Sequence, residues 1–314
     1  MTAVHVLDRI APMISVQGHL RTRYRQAGCW QTAAILVAAV LAVGCHVFVP
    51  TPTYQATELP VAVTELFETA GDSTSATVWI YEQGGPVHTL DDANIVYDEL
   101  SIYRGEEDIE LVTVHQTLTL NHDLADRYRD LSLADLQAEV DVGVEILHRT
   151  IEHFRAQGKR VVVIGHSYGA FLIPRYLWRH GPDAADRYLI MAGRLDMPMV
   201  VVNAFLRGSP WYFPDAVTPS PPPPHPEFTD RDHIETRIAA ATGYDRYTER
   251  LAETDLRRVV YVYGTEDTAV GRLTAKEVEF LASRGARVIP VEGGHGSMFY
   301  DSAAIQRISV ALQE

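Results

Sequence analysis

The sequence predicts an α/β fold, a mostly parallel sheet flanked by helices with a cap insertion, and three observations predict it. Short β-branched runs alternate with stretches of helical periodicity, the pattern of successive βαβ units. The runs are continuously apolar rather than alternating, as strands covered on both faces must be. One connection between strands, from about Pro198 to Asp255, is too long for a loop and reads as an insertion.

In chain order, Arg21, Arg23 and Arg25 precede a stretch free of Asp, Glu, Lys and Arg from Gln26 to Thr57, inside which Ala33 to Val43 reads AAILVAAVLAV. A basic segment followed by an apolar one is the layout of a secretory signal. The run ends Leu41-Ala42-Val43-Gly44-Cys45, which resembles the lipobox of bacterial lipoprotein signal peptides, and the resemblance implies lipidation at Cys45. Two other readings stay open: an uncleaved anchor helix from Trp30 to Val49, about long enough to span a bilayer, and an ordinary cleaved signal. Each puts the following domain outside the cytoplasm, in a bacterial cell envelope, with the arginines on the inner side. Residues 46–60, with three prolines from Pro50 to Pro60, read as a tether, and the globular domain is expected over 61–314.

Strands are expected at Thr77 to Tyr81, Leu111 to Val114, Val161 to Ile164, Tyr188 to Met191, Val259 to Tyr263 and Arg287 to Val291. Between the second and third, Leu136, Val140, Val144, Leu147, Ile151 and Phe154 recur at spacings of three and four, one face of a long helix. Ser132 with Asp135 gives that helix a capping-box start, and Gly158 a glycine stop. The stretch AFLIPRYLWRH reads as a helix in which Pro174 removes a backbone hydrogen bond, predicting a kink or an irregular turn. Thr274 with Glu277 starts a further helix ending near Gly285. Inside the insertion, Trp211, Tyr212 and Phe213 point to a lid over the C-terminal edge of the sheet, while the proline-rich run Pro219 to Pro226 also fits a stiff surface spacer.

Composition narrows the function. Of 314 residues 46% are hydrophobic, enough for a sizeable core. The net charge of -14 at pH 7 argues against nucleic acid as a partner. The two cysteines, Cys29 and Cys45, precede the domain, so from His46 onward neither a disulfide nor a thiolate-held metal is available.

Gly165-His166-Ser167-Tyr168-Gly169 is a GxSxG pentapeptide between an expected strand and an expected helix. A chain of this length contains such a pentapeptide by chance about one time in ten, so its place on a strand-to-helix turn carries the weight. There the serine is exposed above the sheet and the flanking positions need small residues. A serine hydroxyl needs a base, and the base needs orienting. The strand Val259 to Tyr263 runs into Gly264-Thr265-Glu266-Asp267, and the next runs into Glu292-Gly293-Gly294-His295. Both loops open on the edge that carries Ser167. His295 is the expected base and Asp267 its orienting acid, with Asp196 and Glu266 as rivals for the acid. His166 is a poor base, because adjacent residues on the turn point apart. Two backbone N–H groups are expected to meet an oxyanion: that of Tyr168, and one from Gln83-Gly84-Gly85-Pro86, Gly85 before Gly84.

On these motifs the sequence resembles the α/β-hydrolase superfamily of lipases, esterases and peptidases from about Thr77 onward. The resemblance implies Ser167 as nucleophile, His295 as base and Asp267 as acid, with Gln83 standing where the family's oxyanion loop often has histidine. It implies a small-molecule ester or related acyl substrate and no metal or organic cofactor. A serine aminopeptidase-like hydrolase is the alternative within the family, with Glu82 available to hold a substrate amine. A non-catalytic, envelope-anchored binding protein on a degenerate fold is the alternative from outside it.

Overall fold

The computed structural model describes residues 54–127, 129–221 and 230–314, so the N-terminal segment with Cys45 and residues 222–226 of the proline run lie outside the described residues. In chain order the elements are β1 (Phe67–Gly71), β2 (Thr77–Glu82), α1 (Ala93–Arg104), β3 (Glu110–Val114), α2 (Thr117–Leu120), α3 (Leu133–Ala156), β4 (Arg160–His166) and α4 (Tyr168–His180). They continue with β5 (Arg187–Met191), α5 (Met199–Phe205), α6 (Asp230–Thr242), α7 (Tyr247–Arg250), β6 (Val259–Gly264), α8 (Ala275–Ser283), β7 (Arg287–Val291) and α9 (Ser302–Gln313). The strands form one sheet in the order β1-β3-β2-β4-β5-β6-β7, with β1 antiparallel to β3 and every other neighbouring pair parallel.

Alternation along each strand sends successive side chains into two cores. Val78, Ile80, Val161 and Val163 pack with Val144 and Leu147 of α3 and Leu172 of α4. Trp79, Tyr81, Val162 and Ile164 pack with Leu100 of α1 and Ile308 of α9 on the opposite face. A strand that must be apolar toward both sides shows no alternation, which is why these runs read as continuous. β1 went unexpected for the converse reason: Phe-Glu-Thr-Ala-Gly is a polar, largely exposed edge strand, with little of the β-branched signal.

The caps behave as local chemistry requires. Ser132 and Asp135 exchange side-chain and backbone hydrogen bonds at the start of α3, and Gly158 takes a φ of 77° just past its end. Thr274 and Glu277 do the same at α8. The irregular turn, one of the two outcomes expected at Pro174, is corrected: α4 runs as an α-helix through it. The missing N–H deprives only the Ala170 carbonyl of a partner, and the residues from Tyr168 to Leu177 are buried, so packing outweighs one lost bond.

Tyr54 to Pro60 lies along α3. The Tyr54 hydroxyl donates to the buried Glu139 carboxylate, which also accepts the Thr57 N–H at 3.0 Å, and Arg149 donates to the Pro60 and Val61 carbonyls. Between β5 and β6, α6 packs on α3, α4 and α5. Phe213 is fully buried, and its N–H donates to the Thr268 carbonyl at 2.9 Å. The connection therefore sits on the loop that follows β6. Among the described residues no helix is long and apolar enough to cross a membrane.

Candidate active site

Ser167 falls between β4 and α4 with φ 54° and ψ -113°. For a residue with a Cβ this backbone costs about 1–3 kcal/mol and persists only where the surroundings impose it. They do. A Cβ on Gly169 would stand 2.2 Å from the Glu82 carbonyl oxygen, and one on Gly165 2.6 Å from the Gly169 carbonyl oxygen. Strand, turn and helix are thus pressed together so closely that only glycine fits either position. The Ser167 N–H donates to the Met191 carbonyl at 3.0 Å, tying the turn to β5. Tyr168 is the first residue of α4, so its N–H has no partner within the helix and lies at the positive end of the helix dipole.

The loops after β6 and β7 come together over Gly264, where a Cβ would lie 2.4 Å from the Gly294 carbonyl oxygen. The Glu266 N–H donates to the Gly293 carbonyl at 2.8 Å. Asp267 is buried. Its Oδ1 accepts the N–H groups of Ala269 and Val270 at 2.9 and 3.1 Å, which aims Oδ2 at His295 Nδ1, 2.7 Å away. His295 Nε2 lies 2.9 Å from Ser167 Oγ. An ionised carboxylate can only accept, so Nδ1 carries the proton and Nε2 offers its lone pair to the serine hydroxyl.

The rival acids are placed elsewhere. Asp196 is held by Arg246 at 2.9 Å and by the Thr248 hydroxyl at 2.6 Å, and Glu266 is exposed. His166 faces His295 rather than the serine. The ring centroids are 5.1 Å apart, and its Nε2 is 3.5 Å from the His295 carbonyl oxygen. Burial, and next the neighbouring His295, push its pKa down to about 3, so it packs as a neutral ring.

The Gln83–Pro86 loop abuts the serine at Gly84, where a Cβ would be 3.5 Å from Ser167 Cβ. Gln83 is buried, donating to the Thr89 carbonyl at 2.9 Å and accepting the Asp91 N–H at 2.7 Å. In this way it ties the loop to the segment leading into α1. Gln116, which sequence reasoning missed, bonds the same loop from the end of β3. Its Oε1 accepts the Val87 N–H at 3.0 Å, and its Nε2 donates to the Gln83 and Gly84 carbonyls at 3.0 and 3.1 Å. The one available signal was its place two residues beyond a strand whose C-terminal end faces the site.

Glu82 is fully buried with no hydrogen-bond partner on either oxygen, and burial holds its carboxyl well above the usual range. A neutral acid closed off from solvent does not offer the amine anchor that the aminopeptidase-like reading requires. Among the described residues no group of three or more His, Cys, Asp and Glu side chains is arranged to hold a metal ion.

A mostly parallel sheet with helices on both faces, and a serine on a left-handed turn between its central strand and the following helix, define an α/β hydrolase. The chain belongs to the Alpha/beta hydrolase family, whose sequence model matches residues 27–308. No curated protein matches the chain. Among solved structures it is similar to MGS-M2, an alpha/beta hydrolase enzyme from a Medee basin deep-sea metagenome library. The TM-score is 0.50 at 12% identity, over 79% of this chain and 94% of that one. It is also similar to BpoC from Mycobacterium tuberculosis, a candidate non-heme bromoperoxidase, with a TM-score of 0.51 at 11% identity over 83% of this chain and 97% of that one. At such identities the likeness is one of fold.

Proposed function

We propose that this hydrolase cleaves a carboxylic ester through an acyl-enzyme formed on Ser167. The observation that carries the reading is the unbroken line from Asp267 Oδ2 through His295 to Ser167 Oγ, with contacts of 2.7 and 2.9 Å. As Oγ attacks the acyl carbon, Nε2 takes the hydroxyl proton, and Asp267 stabilises the imidazolium that forms. The carbonyl oxygen gains charge beside the N–H of Tyr168 and those of the Gly84–Gly85 segment. Collapse expels the alcohol, which receives the proton from His295. Water then repeats the sequence on the acyl-enzyme, with His295 as base, and releases the acid. In the connection after β5, Phe213 is buried and its N–H donates to the Thr268 carbonyl of the loop that follows β6, and an aromatic side chain this close to the Asp267 loop supports an ester with an apolar acyl group.

Mass spectrometry after fluorophosphonate treatment tests the serine. A single adduct on Ser167, absent from Ser167→Ala and formed at least about 10³-fold more slowly in His295→Ala, is the expected result. A folded protein that takes no adduct would instead favour the non-catalytic binding protein. A series of acyl esters of increasing length tests the bond, and the ester preference fails if none turns over while a thioester or peptide does.

A further inference from the structure

We propose that Gln116 is a positioning residue for the oxyanion loop: its carboxamide holds the Gln83-Gly84-Gly85 backbone in the one orientation in which N–H groups rather than carbonyl oxygens face the developing oxyanion. The inference rests on the hydrolase reading given above and deepens it. Gly85 has a φ of 137°, a conformation that favours glycine, and two consecutive glycines let the peptide between them rotate at little cost. A rotated peptide would turn the Gly84 carbonyl oxygen toward a developing negative charge and repel it. Such a loop needs an outside clamp.

Gln116 has the matching chemistry. A carboxamide carries one acceptor oxygen and two N–H donors, and three hydrogen bonds to this loop use both ends of it. Oε1 accepts from Val87, beyond the glycines, and Nε2 donates to the carbonyls of Gln83 and Gly84, at and within them. The Gln83–Gly84 and Gly84–Gly85 bonds are trans, so each carbonyl points opposite to the N–H that follows it. With both carbonyls turned to Gln116, the N–H groups of Gly84 and Gly85 point away from it. Gly84, the residue between those two peptides, lies beside the nucleophile: a Cβ on it would be 3.5 Å from Ser167 Cβ.

The clamp is itself moored. Gln116 is 3% exposed, and its N–H donates to the Thr119 hydroxyl at 2.9 Å. The adjacent Thr117 hydroxyl donates to the Glu139 carbonyl of α3 at 2.8 Å. The line from α3 through the first turn of α2 to the loop beside Ser167 therefore runs through buried hydrogen bonds as far as the Gln83 carbonyl and half-buried ones at Gly84 and Val87.

Gln116→Glu is the test, because it keeps the shape and the acceptor for Val87 while replacing the donor with an oxygen that faces two carbonyls. Removing one oxyanion donor typically costs about 10²–10³-fold in kcat. The variant is expected to lose about 10²-fold in kcat with KM within about twofold of wild type, and to bind a boronic acid that mimics the tetrahedral adduct weaker by the same factor as its loss in kcat/KM. Gln116→Ala should lose at least as much. Activity is counted per folded molecule, from the melting curve of each variant. Variants that melt earlier but keep kcat per folded molecule and boronic acid affinity would show a merely structural role and overturn the proposal. If wild-type Ser167 takes no fluorophosphonate, both this inference and the hydrolytic reading fall. If it is labelled and Gln116→Glu behaves like wild type, this inference alone falls.

Discussion

Two regions meet at the C-terminal edge of the sheet and are held in opposite ways. In the loops after β4, β6 and β7 the main chain does the holding: Gly165 and Gly169 close the turn at Ser167, Gly264 admits the Gly293–Gly294 backbone, and Thr265 and Glu266 bond to Val291 and Gly293. In the connection from β5 to β6, charged side chains do it. Glu277 of α8 pairs with Arg194 at 3.3 Å and accepts the N–H groups of Leu195 and Asp196, each at 3.0 Å. Asp196 pairs with Arg246, and Asp245 with Arg175. The backbone-held region keeps its shape when a side chain is exchanged, so substitutions there should change chemistry. The region held by side chains should respond in stability.

The largest expected effect breaks the first region without unfolding it. In Asp267→Asn, the amide oxygen can still accept from Ala269 and Val270, as Oδ1 does now. The amide NH₂ then faces His295 Nδ1 and forces the ring proton onto Nε2, leaving no lone pair for the Ser167 hydroxyl. Loss of the equivalent tautomer costs about 10⁴-fold in kcat in serine proteases, and a similar loss is expected here with the melting temperature within a few degrees of wild type. Ester turnover beside a thermal melt measures both. A large fall in stability would mean that the loop depends on the carboxylate and not on its own backbone.

Glu277→Ala is the converse. It removes the acceptor shared by Thr274, Leu195 and Asp196 and leaves the buried Arg194 without its pair. Breaking a buried pair in this way costs about 3–5 kcal/mol, which for a domain of this size is a fall of roughly ten degrees in melting temperature. Turnover at 20 °C is expected to stay within about threefold. A loss of kcat without a loss of stability would show that the connection acts on the chemistry directly, and the separation of the two regions would fail.

The same contrast explains what could be read from the sequence. The turn at Ser167 is a local steric problem, so its solution is written in five consecutive residues, and the apolar runs announce the strands that carry the other loops. Asp267 and His295 were legible because each follows such a run by a few residues. Asp196 was a rival for the same reason, and only its bonds to Arg246 and Thr248, about fifty residues away in sequence, remove it. Gln116 was invisible because its significance lies in three hydrogen bonds to a loop 29 to 33 residues earlier, and no periodicity or spacing marks it. Pro174 misled for a related reason, since a local helix rule says nothing of the burial on which α4 relies.

Glu82 sits where the two kinds of holding meet, and its effect should be the smallest. It ends β2 and its backbone carbonyl crowds Gly169, yet its carboxyl is buried without the partners that Glu277 enjoys. Its titratable neighbours, Tyr81 on its own strand and Tyr168 on α4, are themselves pushed upward by burial and stay uncharged. With its folded pKa raised, Glu82 keeps its proton in the fold after the unfolded chain has released it. Its contribution to stability is therefore fully present below the unfolded value near 4.5 and is lost as pH rises toward the folded one. Gln does not titrate, so the stability of Glu82→Gln relative to wild type should increase between pH 5 and pH 6, by at most about 1.4 kcal/mol per pH unit. Urea denaturation of both proteins at the two pH values measures it. A difference that stays flat would mean that Glu82 ionises inside the fold, and that the strand-end region carries a charge its backbone alone must accommodate.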